Sequence, residues 1–566
     1  MNTQSTRTPT SGLLVIMLLV SSLALSGAAW ADQYEPGPPD PDKVLVVNLA
    51  DPGAVQTART RILAHGAKLH GANGTNFGPD GLLYIASFIG GGIEVLNPNS
   101  GRVVRHITLE QGMDGPDDLT FGPDGSLYWT SISTGKVGVM SPDGAQSLLA
   151  QLPPGVNPIT FSEDGRLFVA LDFLGEGLYE IYLDGSPPRL VLGDLGWLNA
   201  FDFGPDGYLY GPIYNQGKLV KIDVDTGELW ILAEGFYNPV AVKFDASGRL
   251  HLLVQGTGEV LSMNPDGSDQ QVVARLVPGL DNLAFDSRGR LFVTHAEEGL
   301  VYRILPNGKG LIISRGGMIA PGGVAALPGF LGKDRVFVAD FWTLREFNGK
   351  TGRQLSVERH SLGAPHTVAP DGEDLLVSSW MDNTVYSYDP DSMAVLDTRY
   401  DFAGPMNVIR FQGYLVVAEL GTGMVVRSSG PGDRQVLTEL AIPIGLAATE
   451  DDLYVADWAI GAVYQIVSDG APVFIPIASE LASPEGLAVM PGGDLLVVEG
   501  GAGRVSRINL QTYEVTPFAE GLQLGLAPIS DMPPFFIFNG IAVGPSGAIY
   551  VSGDKANVLY RIDIRP

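Results

Sequence analysis

Residues 115–144 read GPDDLTFGPDGSLYWTSISTGKVGVMSPDG, and this stretch decides the fold. Leu119 to Phe121 alternates apolar and polar, a Gly-ended turn at Asp124-Gly125 follows, and an apolar aromatic run and a second Gly turn lead to a third alternating run. Period-two alternation rich in β-branched and aromatic residues predicts short strands. The Asp-Gly pair supplies the positive φ that a tight hairpin needs. The same frame returns in residues 199–227, NAFDFGPDGYLYGPIYNQGKLVKIDVDTG, and in residues 539–563, NGIAVGPSGAIYVSGDKANVLYRID. Asp80-Gly81, Asp164-Gly165 and Asp206-Gly207 mark equivalent turns.

The residue opening the first strand of each unit gives twelve markers: Asn73, Asp117, Asn157, Asn199, Asn238, Asp281, Gly322, His366, Met406, Ile444, Glu485 and Asn539. They recur about every 42 residues, the period of a four-stranded propeller blade. No unit carries the 3.6-residue apolar stripe of a helical repeat, and the Gly-His and Trp-Asp signatures of tryptophan-aspartate repeats are missing. Propellers typically close with four to eight blades, so twelve units predict an all-β chain of two consecutive six-bladed β-propellers, twelve four-stranded blades in all. The expected boundaries are 65–318 for the first propeller and 319–566 for the second, with the joint near Arg315 to Pro321. The last unit ends after its third strand. Residues 43–64 read as a hairpin without a first half, and within the leader 32–64 they are expected to supply the missing edge.

Composition narrows the function. The 566 residues hold 73 glycines, 40 prolines and no cysteine; 45% are hydrophobic and 17% charged. Thiol catalysis, thiolate zinc sites and disulfides are thereby excluded. A net charge of −28 repels phosphate backbones and anionic lipid, so nucleic acid is not an expected partner. Cations and small neutral or cationic molecules suit this charge better, and a protein partner stays open. Residues 1–31 read as a secretory signal peptide, with Arg7, an apolar run from Leu13 to Leu25, and small residues at Ala29 and Ala31. Ser21, Ser22, Ser26 and Gly27 interrupt that run before it reaches the ~20 apolar residues of a membrane span. The expected product is exported, to a periplasm or outside the cell, with no membrane anchor after cleavage.

The LxFGPDGxLYV frame and Tyr454-Val-Ala-Asp457 resemble the six-bladed NHL-repeat propellers and their relatives, the senescence-marker-protein/gluconolactonase family. The resemblance covers nearly all of residues 65–566, once per propeller. By itself the ring of amides and carboxylates in the first six units has two readings: oxygen ligands converging on a hard cation, or turn-forming residues bonding their own backbone. The resemblance implies a metal held by a carboxylate, then, skipping one blade, by Asn, Asn and Asp. Here these fall on Asp117, Asn199, Asn238 and Asp281, with Asp117 in place of the family's Glu. It implies a divalent cation, Ca²⁺ before Zn²⁺ or Mn²⁺. Asp281 would be the general base of a lactone hydrolase, and Asn73 and Asn157 would face the substrate. The family's Arg two residues before its first Asn is replaced by Trp197, which points to an apolar or aromatic lactone. The alternative is a non-catalytic NHL-type binding scaffold.

In the second propeller the ring is half apolar. Its second strands end in acids, Asp340, Glu419, Asp457 and Glu499. They permit a second cation site with His366, Glu485 and Asn539, or a His366–Glu485 acid–base pair. They equally permit a solvated acidic rim in which Asp457 bonds its own blade. The insertion 529–538, ISDMPPFFIF, reads either as a cap on the second tunnel or as a packing loop.

Overall fold

A computed structural model describes residues 46–49, 56–110, 112–359, 361–529 and 537–565. The expected signal peptide, the leader up to residue 45 and most of the 529–538 insertion lie outside the described residues. The described chain is all-β: twelve antiparallel sheets, eleven of them ordered sequentially from the first strand outward. They form two consecutive six-bladed propellers. Contacts divide the chain into two compact units, one built on Ala67–Ile319 and the other on Ala320–Leu526 with the C-terminal strands and the N-terminal hairpin.

Each blade grades from inside to outside. Second strands such as Leu127–Ser131, Leu250–Val254 and Leu495–Glu499 are buried along their whole length. That explains their near-continuous apolar sequences, since both faces of such a strand are covered. Outer strands such as Val103–Thr108 are largely exposed and correspondingly polar. Cores lie between neighbouring blades. Tyr128 of one blade meets Phe161 of the next edge-on, with ring centroids 5.1 Å apart, inside a cluster with Val137, Val169 and Leu171. The expected Asp-Gly turns form, with Gly125 at φ 83° and Gly207 at φ 81°.

Both rings close by hydrogen bonds between last and first blades. In the first unit the Thr294 hydroxyl donates to the Asn73 carbonyl at 2.8 Å. In the second the Ser552 hydroxyl donates to the Gly322 carbonyl at 2.6 Å. The final blade has five strands where four were expected. Gln56–His65 pairs antiparallel with Val558–Arg565, and Val46–Leu49 pairs in turn with Gln56–His65. The N-terminal hairpin thus adds both of its strands to the C-terminal edge. Among the described residues no helix is long and apolar enough to cross a membrane.

Candidate functional site

A repeated β-bulge aims the ring residues. In the first unit Pro116 pairs with Ser131 and Asp118 with Thr130, so Asp117 is left without a ladder partner. The pairing likewise jumps from Val156 to Ile159 and from Leu280 to Leu283, freeing Asn157 and Asp281. A bulge bends its strand and re-aims a side chain; here it turns each one toward the tunnel mouth. The N–H groups of Asn73 and Asn199 bond the carbonyls of Ala86 and Pro212, which puts both at the same level.

The fifth blade corrects the sequence register. Pro239 pairs with Val254, so the ring position there is Val240, which is 3% exposed. Asn238 falls two residues earlier, at φ 54°, where it closes the preceding turn. Asparagine tolerates that left-handed conformation, so Asn-Pro marks a turn here and not the opening of the strand. The Asn238 carbonyl accepts the Gln255 N–H at 2.9 Å. Asn199 is buried, and its Oδ1 accepts the Ala200 N–H at 2.7 Å.

The mouth gathers four aspartates, two of which the sequence did not single out. Asn73 Nδ2 reaches Asp117 Oδ1 at 3.5 Å. Asp118, deeper in the tunnel, accepts the Leu119 N–H at 2.8 Å, the Ile159 N–H at 3.2 Å and Asn282 Nδ2 at 3.2 Å, and so ties three blades together. Gly74 permits this approach, because a Cβ there would overlap Asp118. Asp172, the first residue after the strand Leu167–Leu171, is fully buried. Its Oδ2 accepts Asn157 Nδ2 at 3.0 Å, while its Oδ1 has no partner.

Crowding and enclosure hold these acids toward their neutral forms. Burial pushes Asp117 up to about 7, with the neighbouring Asp118 adding to the effect. Asp117 and Asp281 keep some surface open to the tunnel, but protein encloses them on every other side. Asp118 rises to about 6 by burial, against the pull of Lys243 and two backbone N–H groups. Asp281 and Asp172 lie well above the carboxylate range, through burial first and the charge of Asp117 second. Among the described residues no three His, Asp or Glu side chains sit close enough to grip a metal ion between them. Any cation here would be shared by carboxylates and amide oxygens.

Beside the acids stands an aromatic platform. Phe173, directly after Asp172, packs 5.1 Å from Trp197 and 5.5 Å from Tyr214, ring centroid to ring centroid. Phe173 and Trp197 both keep exposed surface. Tyr214 donates to Gln255 Oε1 at 2.7 Å.

The second unit is built differently. The same bulge frees His366, Met406, Ile444 and Glu485 at its mouth. The acids ending the second strands are not a solvated rim. Asp340, Glu419, Asp457 and Glu499 are at most 1% exposed. Asp340 accepts Arg345 Nε at 2.7 Å and the Ala320 N–H at 2.8 Å. Glu499 accepts Arg504 Nε at 2.7 Å and the Ala482 N–H at 2.9 Å. Asp457 accepts four backbone N–H groups, from Ala441, Ile442, Ala459 and Ile460. Asp340, Asp457 and Glu499 therefore anchor the loops entering their own blades, and Glu419 pairs with Arg434. His366 places Nδ1 on the Met406 carbonyl at 3.0 Å and packs against Phe538. Glu485 Oε2 takes both the N–H and the Nδ2 of Asn539, at 2.7 and 2.8 Å.

No family model matches the chain, and no curated protein matches it. Solved structures resemble it only distantly. A putative gluconolactonase is 18% identical at a TM-score of 0.37, over 47% of this chain and 96% of that one. Regucalcin from Agrobacterium tumefaciens, described as a calcium-binding protein, is 19% identical at 0.37, over 45% and 96%. The extracellular domain of a putative one-component system from B. thetaiotaomicron is 12% identical at 0.32, over 92% and 81%. Likenesses at this level have no bearing on what the chain does.

Proposed function

We propose that the first unit's tunnel mouth is a divalent-cation-dependent site for hydrolysing lactones, in an exported protein. One observation carries the reading: Asp117, Asp118, Asp172 and Asp281 converge with Lys243 as the cationic group that lowers Asp118, and one oxygen of the buried Asp172 has no partner among the described residues. Buried charge of one sign calls for compensation, and hard oxygen donors suit Ca²⁺, with Zn²⁺ or Mn²⁺ as alternatives. No three of the carboxylates reach one ion together, so a cation would be held by one or two of Asp117, Asp172 and Asp281 with side-chain oxygens of Asn73, Asn157 and Asn199. A bound cation supplies Lewis-acid polarisation of the ester carbonyl.

The chain's own residues do the remainder. Asp281 accepts a proton from the attacking water and returns it to the ring oxygen as the C–O bond opens, giving the hydroxy acid. Asn73 and Asn157 orient the ester. Phe173, Trp197 and Tyr214 give an apolar or aromatic ring a face to stack on. The test is cation-dependent hydrolysis of an aryl lactone such as dihydrocoumarin, followed by pH-stat, in wild type and Asp281→Asn. Turnover lost on chelation and lost in the variant supports the reading.

A second reading, a non-catalytic small-molecule or protein scaffold, is favoured by Trp197 standing where the family has Arg and by Val240 breaking the oxygen ring. A calcium-dependent melting shift with no hydrolysis of any lactone would select it.

A further inference from the structure

The axial channel of the second unit is a cavity of about 250 Å³. All six inner strands line it, and Ala326, Ala369, Ile409, Ala448, Ala488 and Ala542 are among the residues they supply. Short side chains at this level leave the axis open. Among the described residues no charged one lines the channel, in contrast to the aspartates of the first unit. One end is closed by Phe538. This ring belongs to the last blade yet packs 5.6 Å from His366 of the second blade and 6.2 Å from Trp458 of the fourth, so it lies across the axis. The other end opens between the turns holding Pro491 and Pro545.

Three lining side chains are polar. Thr367 is bonded to the Ser378 hydroxyl at 2.7 Å, and Asn539 is bonded to Glu485. The third, Asn407, is half-buried near the closed end and makes no side-chain hydrogen bond to the described residues. An apolar cavity of about 150 Å³ takes up benzene; this channel is larger, has polar as well as apolar lining and opens at one end, so it has room for a longer group. A charged head would lose its hydration there without finding a counter-charge.

We propose that this channel binds a slim, uncharged, medium-chain molecule whose single hydrogen-bonding group meets Asn407 beneath Phe538. The apolar chain then runs along the alanine-lined axis toward Pro491 and Pro545. This site is independent of the hydrolytic reading of the first unit.

The experiment is calorimetric titration of the full chain with 1-octanol and, separately, with sodium octanoate. Octanol should bind saturably at one equivalent, with octanoate at least tenfold weaker. Ala448→Phe fills the axis and should abolish uptake. Asn407→Leu, which keeps the branched shape and removes the hydrogen-bonding group, should weaken octanol about two- to tenfold, the worth of one neutral hydrogen bond. Circular dichroism melting checks that each variant is folded. The proposal is overturned if octanol gives no saturable heat, which is the result for a water-filled channel. It is equally overturned if octanoate binds as tightly as octanol, or if Asn407→Leu binds octanol like wild type.

Discussion

Asn157 donates Nδ2 to one oxygen of Asp172 at 3.0 Å, and the other oxygen of that buried carboxylate meets no donor. Asp172 also lies within the fields of Asp117, Asp281 and Asp118. Without a cation the cluster is destabilising, since like charges repel in a low dielectric. Asp172→Asn keeps the shape and removes one charge. In chelator it should raise the melting temperature of the first unit by about 2–4 °C, as expected for about 1 kcal/mol in a domain of this size. It should also shrink the further rise produced by Ca²⁺, which stabilises by mass action. A melting temperature equal to wild type in both conditions would remove Asp172 from the site.

Arg345 and Asp340 form an ion pair in which both side chains are fully buried. Removing one partner of such a pair strands the other charge, at a cost of roughly 3–5 kcal/mol. Arg345→Leu should lower stability by about that much. Adding Asp340→Asn should recover part of it, because the amide still accepts the Ala320 N–H while no charge is left buried. Equal losses in the single and double variants, measured by urea unfolding, would show that the pair contributes packing and no charge compensation.

The two propellers were legible because their signals are local. An Asp-Gly turn, a short apolar strand and a second Gly turn sit within about 30 residues and repeat. The ring positions of the candidate site were legible only where sequence position and strand register coincide, as at Asp117 and Asp281. Asn238 departs from that: Asn before Pro carries the letters of a ring residue, but the ladder begins at Pro239 and the bulge falls on the unremarkable Val240. Asp172 was missed because it lies one residue past its strand and its partner Asn157 comes from the adjacent strand of the same blade. The acids of the second unit looked solvated because burial is not written in a single residue. A usable signal existed, since Asp340 and Glu499 each have an arginine five residues on, at Arg345 and Arg504, directly after the turn to the neighbouring strand.

Glu485 and Asp554 are bridged by Asn539, which donates to Glu485 and accepts the Asp554 N–H at 3.0 Å. Burial pushes Asp554 up to about 6, and burial with the charge of Asp554 lifts Glu485 well above its usual range. Folded-state values above the unfolded ones mean that stability from these groups is complete below about pH 4 and is lost as pH rises through 6. Glu485→Gln should flatten that loss and raise the melting temperature of the second unit at pH 7.5 relative to wild type. Melting curves between pH 4 and 8 decide it, and parallel slopes for variant and wild type would count against the coupling.

Ala58, 1% exposed, sits on the N-terminal strand opposite Ile564, within a cluster that includes Phe518, Ile549 and Ile562. The strand Gln56–His65 covers what would otherwise be the open edge of Val558–Arg565, and open edges template aggregation. Ala58→Asp places an unpaired carboxylate in that cluster, so it should cost the second unit about 3 kcal/mol or more. Hydrogen exchange localises the effect. Amides of Ile549–Gly553 and Val558–Arg565 should lose protection, while those of Leu127–Ser131 in the first unit should keep theirs. Soluble aggregates should also appear on mild heating, because an unpaired edge is then presented to other chains. If protection of Ile549–Gly553 is unchanged in Ala58→Asp, the N-terminal strand does not hold the last blade closed.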